Sequence, residues 1–161
     1  MGMRVLVAYY SKTGNTERMA RAIAEGAKEV KGAIVTLKRV EETSLEDLME
    51  SDVIIVGSPT YYGLMAAPVK NLLDESVKIH GKLEGKVGGA FTSSGGSATG
   101  AETTILSILQ ALLVHGMIIQ GDAEDKHYGV ACVGKPSGED LKLCRRMGRR
   151  LAELASRLVK D

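Results

Sequence analysis

Three short apolar runs, RVLVAYY at 4–10, VIIVG at 53–57 and VGGAFT at 87–92, each give way at once to a stretch of glycine and hydroxyl residues. Runs of this kind, without polar alternation, suit strands buried on both faces, as in a parallel sheet. The segments between them carry helical periodicity. After SKTGN, Thr16 opens a pattern in which Met19, Ile23, Ala27 and Val30 form one apolar stripe, closed by Gly32. Ile34 to Leu37 reads as a second strand. In the acidic stretch 41–52, Ser44 followed by Asp47 at the third helical position is the start signal of a short helix. Pro68 to Leu73 suits a helix with proline in its first turn. Ile105 to Val114 is a strongly apolar helix, and 117–119 and 130–133 are strand pieces. From Ser137 onward, Leu141, Cys144, Gly148, Leu151, Ala155 and Leu158 share one face. Arg145, Arg146, Arg149 and Arg150 lie away from it and read as a solvated surface.

Strands alternating with helices imply a parallel sheet covered on both faces. In such a sheet the three glycine- and hydroxyl-rich segments meet at the carboxyl edge, where open α/β folds bind ligands.

A length of 161 residues suits one domain with a buried core, spanning 1–161. The balance of 21 basic against 20 acidic residues leaves a formal charge of +1, without the basic excess expected of a nucleic-acid binder. No apolar run approaches the roughly 20 residues that span a bilayer, so no membrane insertion is expected. The start, Met1-Gly2-Met3-Arg4, lacks a signal-peptide layout, and Leu6 occupies the position where a myristoylation motif needs Ser or Thr. Cys132 and Cys144 have no metal-ligand spacing and read as reduced, small apolar residues, pointing to the cytoplasm and to no metal site.

The first loop, Ser11-Lys12-Thr13-Gly14-Asn15-Thr16, puts hydroxyls and unpaired amides at a helix N-terminus, where an anion is favoured. A phosphate monoester fits: hydrogen bonds to a charged partner contribute about 1.5–3 kcal/mol each, before ordering and association costs are subtracted. Neither a G-x-x-x-x-G-K-[ST] loop nor a G-x-G-x-x-G fingerprint occurs here. The second loop, 57–63, frames Tyr61 and Tyr62 with Gly57 and Gly63; the glycines would let backbone approach a flat ligand, and the tyrosines offer stacking faces. The third, 92–100, is built of small residues that leave room for a ligand and present donors to carbonyls or a polyol chain. Ala101 replaces the lysine that a nucleoside-triphosphate loop would need after Gly100.

SKTGNTERMA resembles the phosphate loop of flavodoxin-like proteins. GSPTYYG, followed by FTSSGGSATGAETT and LLVHGMIIQG, is similar to the WrbA type of NAD(P)H:quinone oxidoreductase. LKRVEET after the second strand and HYG at 127–129 carry the similarity through nearly the whole chain. The resemblance implies a flavodoxin-like α/β fold, a doubly wound five-stranded parallel sheet with helices on both faces, holding FMN. It implies Ser11, Lys12, Thr13, Gly14, Asn15 and Thr16 at the phosphate, and Pro59, Thr60, Tyr61, Tyr62 and Gly63 along the isoalloxazine. Thr92, Ser93, Ser94, Gly95, Gly96 and Gly100 would meet the pyrimidine side and the ribityl chain. His115 matches a family histidine near the exposed flavin, and with Tyr61 and Tyr62 it would line the face that NAD(P)H and a quinone use in turn. A homo-oligomer, dimer or tetramer, is also implied.

The chain departs from the family in lacking a longer connection before the third strand and an insertion before HYG, and in carrying Lys78 opposite a substrate-contacting tryptophan. The rival reading is a flavodoxin that shuttles single electrons between protein partners. Such carriers are usually strongly acidic, and this chain is neutral. Two other readings fail on placement. Cys144 and Arg150 match the C-x5-R spacing of tyrosine phosphatases but fall inside an amphipathic helix. A response regulator needs acidic residues where Tyr9 and Tyr10 end the first strand.

Overall fold

Val5 and Val7 face one side of the sheet and Leu6 and Ala8 the other, and all four are buried. Strand β1 (Met3–Tyr9) is thus covered on both faces, as its unbroken apolar run requires. In the computed structural model, which describes residues 2–158, the chain continues through α1 (Asn15–Lys28), β2 (Ala33–Arg39), α2 (Leu45–Glu50) and β3 (Val53–Tyr61). There follow β4 (Leu64–Met65), α3 (Ala67–Glu75), β5 (Val87–Ser94), α4 (Ala101–Val114), β6 (Ile118–Ile119), β7 (Ala131–Val133) and α5 (Gly138–Leu158). Short 3-10 turns occupy Val40–Glu42 and Ser76–Ile79.

The strand order is β2-β1-β3-β5-β6, parallel throughout. β7 also pairs with β5, alongside Thr92–Ser94, whereas β6 pairs with Val87 and Gly88. The two pieces share the fifth strand position, which the segment 120–130 interrupts. The result is the flavodoxin-like order with its reversal between β1 and β3, plus the two-residue antiparallel β4 on β3.

Helices α1 and α5 cover one face and α2, α3 and α4 the other. The first pair approach closely because each supplies a glycine at the crossing. A Cβ on Gly26 would lie 1.9 Å from the Arg145 carbonyl oxygen, and one on Gly148 would lie 2.0 Å from that of Ile23. Met19, Ile23 and Ala27 form the expected stripe; Val30 lies beyond the helix end and packs there only partly buried. On α5 the stripe holds from Cys144 to Ala155, but Leu158 in the last turn is exposed. Arg145 and Arg149 are solvated as expected. Arg146 and Arg150 instead reach over to Asp122 at 2.8 and 3.0 Å and anchor the 120–130 segment to the helix.

Candidate functional site

The starts of α1, α2 and α5 all follow parallel strands and lie at the carboxyl edge, but they are capped differently. Ser44 starts α2 and Ser137 starts α5, each accepting from the amide three residues on, at 3.1 Å, while that residue's carboxylate accepts in return. α1 instead starts from Gly14 at φ 96 with no side-chain cap. Its first amides therefore have no side-chain acceptor, the condition under which a helix start holds an anion. Ser11, which might have capped, folds back to accept from the Gly14 amide at 3.1 Å. Open space surrounds Gly14, where an added Cβ would meet nothing within 4 Å. Lys12 and Thr13 are exposed, Asn15 is half-buried, and the Thr16 hydroxyl is buried 2.8 Å from that of Ser93.

The segment expected as a loop from Gly57 is mostly strand. β3 runs on to Tyr61 because Gly57, Ser58 and Pro59 stay in register with Phe91, Thr92 and Ser93 of β5. β1 pairs no further than Tyr9 opposite Gly57, so Pro59, which has no amide hydrogen, lies where that flank is free. Gly57 does not serve ligand approach, as the sequence suggested: a Cβ there would sit 2.1 Å from the Phe91 ring. Beyond Tyr61 the chain reverses through Tyr62 (φ 49) and Gly63 (φ 76) to pair Leu64 with Tyr61, a two-residue hairpin with both central residues left-handed. Tyr62 stands fully exposed at its tip and Tyr61 is 41% exposed. Burial, followed by the nearby Tyr10, pushes the Tyr61 hydroxyl pKa above its ordinary value, so it remains a neutral donor.

The third segment is also part strand: Thr92, Ser93 and Ser94 belong to β5 and are buried. Thr92 donates to the Ser58 carbonyl at 2.7 Å, so the Thr60 hydroxyl 2.9 Å away is the donor to Thr92 and keeps its own lone pairs available. Ser94 donates to the Gly96 carbonyl at 2.9 Å, turning the chain at Gly95, which has open space around it. Gly100 (φ 104) closes the segment so tightly on the hairpin that a Cβ would lie 2.4 Å from Gly63 Cα, and Thr103 donates to the Gly63 carbonyl at 2.6 Å. The fold thus ties together 11–16, 59–63 and 92–100 as the sequence anticipated.

His115 is not brought to them. It caps the C-terminal end of α4, which runs antiparallel to β5 for 14 residues, so it lies at the amino edge, about 20 Å from the helix start at 1.5 Å per residue. Its Nε2 is 2.7 Å from the Ser76 hydroxyl, whose proton goes to the Leu73 carbonyl at 2.6 Å. Nε2 is therefore the donor, and buried Nδ1 has no partner among the described residues. Burial, with the His80 ring 5.8 Å away, lowers the imidazole pKa below its ordinary value. Lys78 is at this end too, paired with Glu75.

Arg39 was missed. It ends β2, donates from Nη2 to the Ser11 carbonyl at 2.9 Å, and lies 5.7 and 5.8 Å from the Tyr9 and Tyr10 ring centres. Its other partner is Glu41 at 3.4 Å. The usable signal was a cation directly after the apolar part of the strand beside the first loop.

The flavodoxin family model matches residues 7–157. The chain belongs to the flavodoxin family. This flavodoxin-family protein is 41% identical over 158 residues to a flavodoxin of Aquifex aeolicus, covering 93% of this chain and 85% of that one. It is 38% identical over 189 residues to an NAD(P)H dehydrogenase (quinone) of Archaeoglobus fulgidus, covering 96% and 98%. Among solved structures it superposes on a flavodoxin, WrbA-like protein from Agrobacterium tumefaciens with a TM-score of 0.84 at 29% identity, covering 97% of this chain and 99% of that one. Like its family it is an FMN protein, and the uncapped α1 start, the open space at Gly14 and Gly95 and the linked hydroxyls are a donor set that suits a phosphorylated flavin.

Proposed function

We propose that this protein is an FMN-dependent oxidoreductase that passes two electrons from NAD(P)H to a quinone. One observation carries the reading: relatives named NAD(P)H dehydrogenase (quinone), 34–38% identical, align with 96–98% of this chain and with 98–100% of their own lengths. The exposed Tyr61–Tyr62 hairpin supports it, since its solvent-facing rings are free to stack against a planar substrate.

Bound FMN supplies hydride acceptance and electron release. The chain's part is to bind and orient. The amides of Thr13, Asn15 and Thr16 would hold the phosphate, with the Gly14 amide engaged by Ser11; Thr60 would offer its lone pairs to the ring edge, and the 93–96 segment would meet the pyrimidine side and the ribityl chain. Tyr61 and Tyr62 border the face on which nicotinamide and quinone alternate, a ping-pong scheme that needs no second nucleotide site. The whole chain acts as one flavin-binding domain. Exposed Val77, Leu113 and Val114 on the α4 side support a homo-oligomer, and two buried free cysteines support a cytoplasmic location.

A single-electron carrier is the second reading. Alignments with the quinone dehydrogenases run over 189–203 residues, beyond this chain's 161, so those relatives contain segments that it lacks; the Aquifex flavodoxin aligns over 158.

Anaerobic oxidation of NADH and NADPH by the FMN-loaded protein, with and without benzoquinone, separates the two. Quinone-dependent turnover absent from free FMN is expected. Bound FMN without turnover, with a stable one-electron state on titration, would overturn the enzyme reading in favour of the carrier.

A further inference from the structure

We propose that Arg39 is the residue that makes this site prefer a phosphorylated flavin over the unphosphorylated one, by setting the Ser11–Lys12 peptide and by placing a fixed positive charge beside the phosphate loop. The inference rests on FMN binding at 11–16.

Arg39 is held from several directions. Nη2 bonds the Ser11 carbonyl, Tyr9 and Tyr10 lie alongside the guanidinium, and Glu41 takes a second, longer contact. Its side chain is one-third exposed, so the charge is only partly screened. The bond to Ser11 has a geometric consequence. In a trans peptide the C=O and the following N–H point in opposite directions. Holding the Ser11 carbonyl on the guanidinium therefore fixes the Lys12 amide to point away from Arg39.

The charge acts together with this geometry. A phosphate monoester carries about −1.5 to −2 at neutral pH, whereas the same flavin without its phosphate is neutral. A guanidinium one hydrogen bond from the loop stabilises the first selectively. Lys12, in the same loop, is exposed on a flexible stem and is more strongly hydrated, so it contributes less. Lysine at position 39 would keep the charge but lose the planar fork that spans the carbonyl and the rings.

The test is the affinity of the apoprotein for FMN and for riboflavin, read by flavin fluorescence at low and high salt. Arg39→Gln is expected to weaken FMN about tenfold, equivalent to about 1.4 kcal/mol, with riboflavin changed less than about twofold. Arg39→Lys should fall between, and the wild-type preference for FMN should shrink with salt more steeply than that of Arg39→Gln. Unchanged FMN affinity in Arg39→Gln overturns the proposal. So does an equal loss for both flavins, which would mark the residue as merely structural. Should Arg39→Gln fail to fold, Arg39→Lys decides: an FMN-to-riboflavin ratio equal to wild type, with a wild-type ratio insensitive to salt, also overturns it. Absence of FMN binding by the wild-type protein would instead strike the underlying reading, before any variant is compared.

Discussion

The hydroxyls of Thr16 and Ser93, 77 positions apart in the chain, meet in a buried hydrogen bond of 2.8 Å. It joins the first turn of α1, where the phosphate is expected, to the end of β5, where the ring edge is expected. The two segments are therefore not independent loops; one polar contact in a dry environment holds them at a set distance.

Thr16→Val keeps the side-chain shape and leaves the Ser93 hydroxyl buried without its partner. It should cost about 1–3 kcal/mol of stability, read from the urea midpoint of the apoprotein, and should weaken FMN as the two segments lose their tie. Adding Ser93→Ala should recover part of the stability but not the affinity, because the orphaned hydroxyl is removed and the link is not restored.

Tyr62 occupies the left-handed region (φ 49) at a position where hairpins favour Asn, with Gly63 following. A bulky side chain there is strained by roughly 1–2 kcal/mol. Tyr62→Asn should raise the thermal midpoint of the apoprotein while lowering quinone turnover through loss of the exposed ring. A stabilised variant with full turnover would separate the strain from any role in substrate binding.

The pH dependence follows from His115. Its folded-state pKa lies below the ordinary 6.5 because burial, then His80, disfavours the charged ring. The unfolded chain therefore takes up a proton that the folded one resists. The stability this contributes is complete above about pH 6.5 and declines as pH falls below it towards the folded-state value. Urea midpoints at neutral and mildly acidic pH should show a smaller acid loss in His115→Gln than in wild type.

Burial pushes the Cys132 thiol up to about 11 and that of Cys144 up to about 12. Since the thiolate is the reactive form, neither should react with an aromatic disulfide reagent at neutral pH in the folded protein. Both should react promptly once urea unfolds it. Fast labelling of the native protein would show that the α1–α5 layer opens.

Local pattern was enough for the elements themselves. The double-faced burial of β1 and β3, the stripe Met19-Ile23-Ala27, the Ser44–Asp47 and Ser137 helix starts and the loop between β1 and α1 all depend on residues within a few places of one another. So did the meeting of three segments at one sheet edge, because alternating strands and helices leave the parallel strands no other arrangement. What needed tertiary structure was every relationship set by register between distant strands. Gly57 is small because Phe91 lies across from it, and β3 continues through Pro59 because β5 is still beside it after β1 has ended. His115, placed near the flavin by resemblance, is carried to the far edge by the direction of α4. Arg39 reaches Ser11 only because β2 lies next to β1. Periodicity and capping are short-range and written along the chain; pairing partners are chosen by which buried faces fit, and that is decided only when the sheet is assembled.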